Sequence, residues 1–407
     1  MAQFPADVYV AVRPLACRRE GQHITIGDLD RGVFLTIPAE GMDLLDALSA
    51  GKTVGQAVRL YEQAYGETPD AEDFLGALAD HGFVAPCDEQ DLPAGPVETP
   101  APASGRISAS LARRLFGTPV LWSCATAVVV GVVLVALDPG VIPGPTVLVF
   151  HRHFATLSTA LLAFGLVTVM VHELGHFLAA RASDVCARIG VGHRLWIVVA
   201  ETDMSGIWVV SKRRRYVALL AGPLIDAASA AAVLGLLWAD RGGWLRMSPT
   251  LLQFTGAVLW TYLLRLLWQC YVFVRTDFYY VLATALDCKR LLADTEDLLR
   301  NRWARLRGCE EPVDQSGIPQ REMRAIRAYS VVWLAGRAVA LASLVLITVP
   351  VLEGYATQVA GAVNGAHSGF DTADLVFLAV FGFGLQGAGL VLWIRSLYQN
   401  RTRRSFQ

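Results

Sequence analysis

Long apolar runs dominate the chain from about residue 119 onward. A helix that crosses a bilayer needs roughly 20 consecutive apolar residues. The runs that reach this length lie near residues 119–138, 154–180, 215–239, 249–274, 329–352 and 373–397. The pattern therefore predicts a polytopic α-helical membrane protein with about six transmembrane helices.

Residues 1–88 contain short segments with strand or helix patterns instead of long apolar runs. VYVAV, HITIG and RGVFLTIP predict three strands, with GDLDRG as the turn between the last two. Three helices should follow: Thr53 and Gln56 form a capping-box pattern for one, and Thr68 with Pro69 predicts the start of another. We predict a small soluble α+β domain.

Residues 89–110 predict a linker, because Pro alternates there with small residues and no apolar period survives. This leaves residues 111–407 as the membrane domain. The N-terminus has no basic region followed by an apolar run, so we do not expect a secretory signal peptide.

Composition agrees with a membrane protein, since charged residues make up 17% of the chain against about 25% in soluble domains. A net charge of −1 gives no field that would attract nucleic acid. The seven Cys form no CxxC pair, so neither a disulfide framework nor a cysteine zinc site is indicated.

Basic residues are distributed unevenly between the predicted loops. They concentrate in residues 181–215, 275–328 and 395–407, whereas the opposite loops contain few. Because basic loops face the cytoplasm, we expect both termini to be cytoplasmic. Arg greatly outnumbers Lys, which is typical of GC-rich bacterial genomes, so the membrane is predicted to be a bacterial cytoplasmic membrane.

The second predicted span contains VHELGHFLAA, an HExxH motif formed by His172, Glu173 and His176. Two His four residues apart project from one helix face and suit a tetrahedral zinc, and the Glu between them can take a proton from water. Three ionisable residues are expensive to bury in a span. The alternative is a polar kink satisfied by neighbouring helices.

A catalytic zinc needs a third protein ligand. Asp277 lies just past the fourth predicted span, on the same side as the motif, so the two can meet. The alternative role for Asp277 is a helix N-cap. The other histidines are weaker candidates, because they lie in the soluble domain, on the outer side or in a strand-like loop. They are His23, His81, His151, His153, His367 and His193.

HELGH within a span, AGP at residues 221–223 and an Asp followed by aromatic residues together resemble the site-2 protease family of intramembrane zinc metalloproteases, and within it a bacterial peptide zinc metalloprotease subgroup. The match covers roughly residues 160–295, within a catalytic core at 154–295. The resemblance implies one zinc ion bound by His172, His176 and Asp277, with Glu173 as the catalytic base. The chain departs from the pattern at Phe278, where Gly usually follows the Asp. Gly permits positive φ, so the local turn is expected to differ.

Three more ionisable residues, Asp226, Arg265 and Arg337, lie inside predicted spans at a depth similar to that of the HExxH motif. We expect a polar cluster around the zinc, in which an Arg neutralises Asp226 or stabilises the oxyanion of the reaction. The alternative is that both Arg extend to the inner interface without a catalytic role.

Residues 187–210 alternate apolar and polar positions, which predicts a strand pair near the active site. An extended substrate could pair with its edge, or the pair could be a plain structural hairpin. The SKRRRY segment that follows is interpreted as an orienting basic cluster, with phospholipid contact as an alternative. Several Gly in the sixth span would allow close packing or a helix shift.

The order of strands and helices over residues 7–85 resembles the pyrroloquinoline-quinone peptide-chaperone family. These winged-helix-like domains recognise leader peptides of ribosomally made precursors. The resemblance implies that a peptide extends the small sheet by strand addition. The alternative is a folded adaptor without peptide specificity.

Three functions remain open from the sequence. The first is a zinc endopeptidase that cleaves a precursor peptide captured by the N-terminal domain, with modifying enzymes or an exporter as partners. The second is regulated intramembrane proteolysis of a membrane-bound signalling protein. The third is a non-catalytic zinc-binding export or immunity component, against which the intact Glu173 argues.

Overall fold

The computed structural model describes residues 4–20, 23–28, 33–89, 107–150, 153–194, 197–288, 290–363, 372–377 and 391. The chain divides into two compact units. Unit 1 consists of Met1–Arg113, Ala180–Arg188 and Asp203–Arg215, and unit 2 consists of Arg114–Ala179, Ile189–Thr202 and Tyr216–Gln407.

The N-terminal domain contains five strands among its described residues. They are β1 (Tyr9–Val12), β2 (Ala16–Glu20), β3 (His23–Asp28), β4 (Val33–Pro38) and β5 (Val84–Cys87). β2, β3 and β4 form an antiparallel sheet in that order, and β1 pairs with β5. The three predicted strands are β1, β3 and β4, whereas β2 and β5 were not predicted from the sequence. The predicted GDLDRG turn lies mostly outside the described residues.

Three helices complete this domain: α1 (Ala39–Ser49), α2 (Val54–Tyr65) and α3 (Ala71–Asp80). The predicted capping box of α2 is confirmed, because the Thr53 hydroxyl accepts from the Gln56 N–H and the Gln56 side chain accepts from the Thr53 N–H. The predicted start of α3 at Thr68 and Pro69 is wrong. Asp70 is the N-cap, and its carboxylate accepts a 3.1 Å hydrogen bond from the Asp73 N–H.

Apolar side chains from these helices pack against both groups of strands and form one core. Its fully buried members include Ile26, Leu45, Leu48, Leu75 and Phe83. The domain is therefore a small α+β unit with its own apolar core, as the sequence predicts.

The rest of the described chain is mainly helical. Its helices are α4 (Ala109–Leu115), α5 (Thr118–Leu137), α6 (Phe154–Ala182), α7 (Lys212–Arg241), α8 (Pro249–Gln269), α9 (Asp277–Leu286), α10 (Leu291–Leu306), α11 (Gln320–Ser343), α12 (Val349–Val363) and α13 (Thr372–Phe377). Between α6 and α7, β6 (Arg188–Arg194) pairs with β7 (Ile197–Asp203), which confirms the predicted strand pair.

Within the described residues, five helical stretches are long and apolar enough to cross a membrane. They are Ala109–Leu137, Phe154–Ala182, Lys212–Arg241, Pro249–Gln269 and Gln320–Gly361. The predicted sixth span, near 373–397, lies largely outside the described part of the chain, as do the Gly at positions 382, 384, 387 and 389.

Large apolar side chains point outward on these helices, among them Trp122 at 70% exposure and Leu166 at 63%. Soluble proteins rarely expose such continuous apolar surfaces, because they are unfavourable in water. The helices are therefore consistent with a helical membrane protein.

Candidate metal centre

His172 and His176 lie one turn apart on α6, with their imidazoles directed to the same side. Both are buried, at 6% and 2% exposure, and their Nε2 atoms are 3.2 Å apart. The helical period places the two rings together, as the spacing predicts. Two nitrogen donors therefore converge on one buried point.

Asp277 supplies a third donor from another part of the chain. Its Oδ2 lies 3.4 Å from Nε2 of His172 and 3.3 Å from Nε2 of His176. Thr276, not Asp277, is the N-cap of α9, so the N-cap alternative is wrong. Asp277 is the first helical residue, and its carboxylate faces the two histidines.

Gln269, the last residue of α8, orients this carboxylate. Its side-chain amide donates a 2.9 Å hydrogen bond to Oδ2 of Asp277 and accepts a 3.0 Å bond from the Asp277 N–H. Burial raises the pKa of the Asp277 carboxyl, but charge attraction to His176 and hydrogen bonds with both histidines, when the histidines are protonated, hold that pKa below its usual value.

The expected effect of Phe278 on the turn is not found. Phe278 lies within the helical part of α9, whereas the positive φ of this turn, 56°, belongs to Arg275. A side chain at position 278 therefore introduces no backbone strain, and the ligand helix forms without the Gly of the related pattern.

The three donor atoms fit a tetrahedral zinc ion. Bonds of about 2.0–2.1 Å at tetrahedral angles place the ligand atoms roughly 3.3 Å apart. The observed separations are 3.2, 3.3 and 3.4 Å. Two imidazoles and one carboxylate are also the donor types that catalytic zinc sites use, with a fourth position left for water or substrate.

The far side of each imidazole is fixed by a hydrogen bond. Nδ1 of His176 lies 2.8 Å from the carbonyl oxygen of Ala218, which can only accept, so this nitrogen carries the proton. Nδ1 of His172 lies 2.8 Å from Oδ2 of Asp226. Such partners orient ligand histidines and leave the Nε2 lone pairs free for a metal.

Gly222, in the AGP segment of α7, leaves the space in front of the two imidazoles open. A Cβ at this position would lie 2.4 Å from Nε2 of His176 and 2.5 Å from Nε2 of His172. On α6, Gly175 allows an equally close approach, since its Cβ would meet Ile225 of α7 at 2.4 Å. Two glycines thus let α6 and α7 pack closely at the candidate centre.

Asp226 and Arg265 form part of the predicted polar cluster. Arg265 donates a 2.7 Å bond to Oδ1 of Asp226 and a 3.0 Å bond to the hydroxyl of Thr168. Asp226 is 1% exposed, so the guanidinium neutralises a fully buried carboxylate. This arrangement favours charge neutralisation over extension of Arg265 to the interface.

Arg337 has other partners. Its guanidinium lies 4.0 Å from the ring centre of Trp333 and 5.4 Å from that of Phe273. Within the described chain, no recorded contact joins it to the metal-site residues. The expectation that Arg337 belongs to the polar cluster is therefore not supported by its contacts.

Glu173 is buried beside the histidines at 8% exposure. The hydroxyl of Thr202, near the end of β7, lies 2.7 Å from its Oε2 and 3.0 Å from its main-chain oxygen. The strand pair thus reaches the residue that the motif assigns as the base.

Of the weaker histidine candidates, the side chains of His81 and His153 are described, and neither joins this group. His81 contacts the carbonyl oxygen of Ala77 in its own helix, at 2.7 Å. His193 lies in β6, and the side chains of His23 and His193 and the whole of His151 and His367 are outside the described residues. Among the residues that are described, the group suited to a metal is His172, His176 and Asp277.

Sequence reasoning missed Gln269, Thr202 and Thr168. Gln269 precedes the ligand Asp by eight residues, and Thr202 lies in the predicted strand pair, but neither belongs to a motif. Only their side-chain contacts reveal a role. Gly222 was marked by the AGP segment, although the reason for Gly there is visible only in the structure.

No family model, no curated protein and no solved structure matches this chain. The case for a function therefore rests on the residues and their geometry.

Proposed function

We propose that this protein is a membrane-embedded zinc endopeptidase that hydrolyses peptide bonds near the cytoplasmic face. The observation that carries the proposal is the convergence of His172, His176 and Asp277 at separations of 3.2–3.4 Å, with Glu173 buried next to the first ligand. These residues belong to or adjoin helices apolar enough to cross a membrane.

Zinc, when bound, would polarise the scissile carbonyl and make a water molecule more acidic. Glu173 takes a proton from the water as its oxygen adds to the carbonyl carbon. The same carboxyl group then gives the proton to the amide nitrogen as the C–N bond breaks. Asp226 and Gln269 hold His172 and Asp277 in orientation throughout.

The resemblance to the site-2 protease family adds to this proposal. Of the residues that the resemblance assigns, His172, His176 and Asp277 lie in one group, and Glu173 is buried next to His172 on the same helix. Phe278 has a helical backbone, so the absence of Gly at this position does not argue against Asp277 as a zinc ligand. The basic residues are concentrated in the predicted loops of one side, and such loops face the cytoplasm. We therefore propose that the protein lies in a bacterial cytoplasmic membrane with both termini on the cytoplasmic side.

The substrate that we propose is a ribosomally made precursor peptide, held by the N-terminal domain. That domain has an antiparallel sheet of three strands with β2 and β4 at its edges, and a peptide can extend such an edge by main-chain hydrogen bonds. Enzymes that modify the precursor, or an exporter that removes the product, are the partners this function would require.

The test uses purified full-length protein in detergent. Zinc content is measured for the wild type, Asp277→Ala and Glu173→Gln, and cleavage is followed with a pooled library of quenched-fluorescent peptides. We expect about one zinc per chain in the wild type, its loss in Asp277→Ala, and retained zinc without cleavage in Glu173→Gln. Glu353→Gln, on the exposed part of α12, is the matched control and should cleave normally.

Two results would contradict the proposal. A wild type without zinc would remove the metal centre, and cleavage by Glu173→Gln at the wild-type rate would remove the assigned base. Cleavage of membrane-anchored proteins alone, with free precursor peptides untouched, would reassign the substrate to membrane-bound signalling proteins.

A further inference from the structure

Thr202 is a polar residue near the end of β7 whose side chain reaches α6. Its hydroxyl lies 2.7 Å from Oε2 of Glu173 and 3.0 Å from the main-chain oxygen of the same residue. Both acceptors lack hydrogens, so the hydroxyl is the donor in each contact. The inference below rests on the proposed role of Glu173 as the base.

The single hydroxyl proton is shared, and the carboxylate is the stronger acceptor. Hydrogen bonds to an ionised oxygen are shorter and about twice as strong as those to a neutral carbonyl. The 2.7 Å and 3.0 Å distances follow this order. The hydroxyl of Thr202 therefore bonds mainly to the carboxylate, and the weaker bond to the main-chain oxygen of Glu173 helps to fix the position of the hydroxyl.

The two carboxylate oxygens of Glu173 are then not equivalent. Oε2 accepts from Thr202, whereas no hydrogen bond to Oε1 is recorded among the described residues. With one oxygen held, rotation about the last side-chain bond is restricted, and the other oxygen keeps a fixed direction. A base that moves a proton twice in one cycle gains from such orientation, because misplacement by about 1 Å can reduce a rate by 100-fold.

We propose that Thr202 is the positioning residue for Glu173. It holds Oε2 so that Oε1 remains free to take the proton from water and return it to the leaving nitrogen. Thr202 also makes the base sensitive to the strand pair, because it belongs to β7. A peptide that pairs with the edge of β6 and β7 would bind next to the residue that orients the base.

Thr202→Val tests this directly, since it keeps the shape of the side chain and removes the hydroxyl. Thr202→Ser keeps the hydroxyl. Thr159→Val is the matched control: this residue lies on α6, and its hydroxyl donates to the Ala155 carbonyl of its own helix. Zinc content and thermal unfolding are measured for every variant, together with kcat and KM on the peptide library substrate cleaved best by the wild type.

We expect kcat of Thr202→Val to fall roughly tenfold, with KM, zinc content and unfolding close to wild type. Thr202→Ser should recover most of kcat, and Thr159→Val should behave as the wild type. Unchanged or increased kcat in Thr202→Val would overturn the proposal, because the hydroxyl would then be idle or would restrain the base. Loss of zinc in both Thr202 variants would also overturn it, because the residue would then be structural.

A second readout does not need cleavage. A peptide hydroxamate binds zinc through its two oxygens and passes its proton to a neighbouring carboxylate, so its affinity depends on the orientation of Glu173. Thr202→Val should bind it several-fold more weakly than the wild type, at equal zinc content. If the wild type binds zinc and hydroxamate but cleaves nothing, the proposed function fails while the Thr202 inference remains under test. Equal hydroxamate affinity in Thr202→Val and wild type would overturn the inference itself.

Discussion

Replacing Gly222 by Ala should strongly weaken zinc binding while leaving the helices intact. The added Cβ would lie 2.4 Å from Nε2 of His176 and 2.5 Å from Nε2 of His172. Non-bonded heavy atoms are normally about 3.5 Å or more apart. Each imidazole would therefore have to withdraw by about 1 Å from the position in which it can share a metal ion.

Neither imidazole can withdraw freely, because each Nδ1 is held at 2.8 Å, by Asp226 for His172 and by the Ala218 carbonyl for His176. Breaking a buried hydrogen bond costs about 1–2 kcal/mol. Displacing both rings would thus cost about 2–4 kcal/mol, which weakens the zinc dissociation constant roughly 30- to 1,000-fold. Overlap between the Cβ and the ion adds to this loss.

The assay is zinc titration in detergent against a competing chelator, with bound metal measured by mass spectrometry. Gly235→Ala is the matched control, because it lies on the same helix and its Cβ would meet nothing within 4 Å. It should keep zinc and gain about 0.5–1 kcal/mol of stability, as Ala exceeds Gly in helices. Wild-type zinc affinity in Gly222→Ala would refute the proposed position of the metal between these two rings.

Two other variants test the residues around the ligands. Arg265→Met should lower stability by about 3–5 kcal/mol, because it leaves the buried Asp226 carboxylate without its countercharge. In thermal unfolding, the double variant with Asp226→Asn should lose less than Arg265→Met alone, and a larger loss would contradict the pairing. Gln269→Met removes the hydrogen bond to the Asp277 carboxylate and the one accepted from the Asp277 N–H, and it should weaken zinc binding roughly tenfold. Unchanged affinity would mean that the helix alone orients that ligand.

Local patterns predict the strands of the N-terminal domain only where apolar residues dominate or alternate. β3 alternates, and β1 and β4 are mostly apolar, so the sequence predicts all three. β2 has the sequence ACRRE, and β5 is a four-residue strand containing Pro86. Neither has a clear period. β5 forms only because β1 offers it a partner, with Tyr9 opposite Cys87, and such long-range pairing leaves no mark in a short window.

The start of α3 shows a different limit. Thr68, with Pro69 after it, and Asp70 both fit the preferences for a helix start. In the structure the Thr68 hydroxyl donates to Glu62 at 2.7 Å, so it is engaged with the preceding helix. Asp70 is then the residue left to cap α3. Sequence preferences rank single residues, but they do not show which candidate already has another partner.

At the metal centre, the two histidines could be predicted because their spacing is a property of one helix. Asp277 required a further step, since it comes from a different helix about a hundred residues later, and topology alone made the meeting possible. Gln269 and Thr202 could not be predicted at all. Polar residues at helix and strand ends are common, and only the folded chain shows that these two contact Asp277 and Glu173.

The balance of charge gives an independent argument for a divalent ion. Glu173 and Asp226 are buried carboxylates and Asp277 is a partly buried one, and among the described residues the Arg or Lys paired with them is Arg265, which contacts Asp226. With neutral histidines, this leaves an excess of two negative charges among apolar helices, where unpaired charge is strongly unfavourable. A dication between His172, His176 and Asp277 would cancel that excess. A zinc ion at the proposed site would therefore balance these carboxylates, whereas a polar kink would leave them unbalanced.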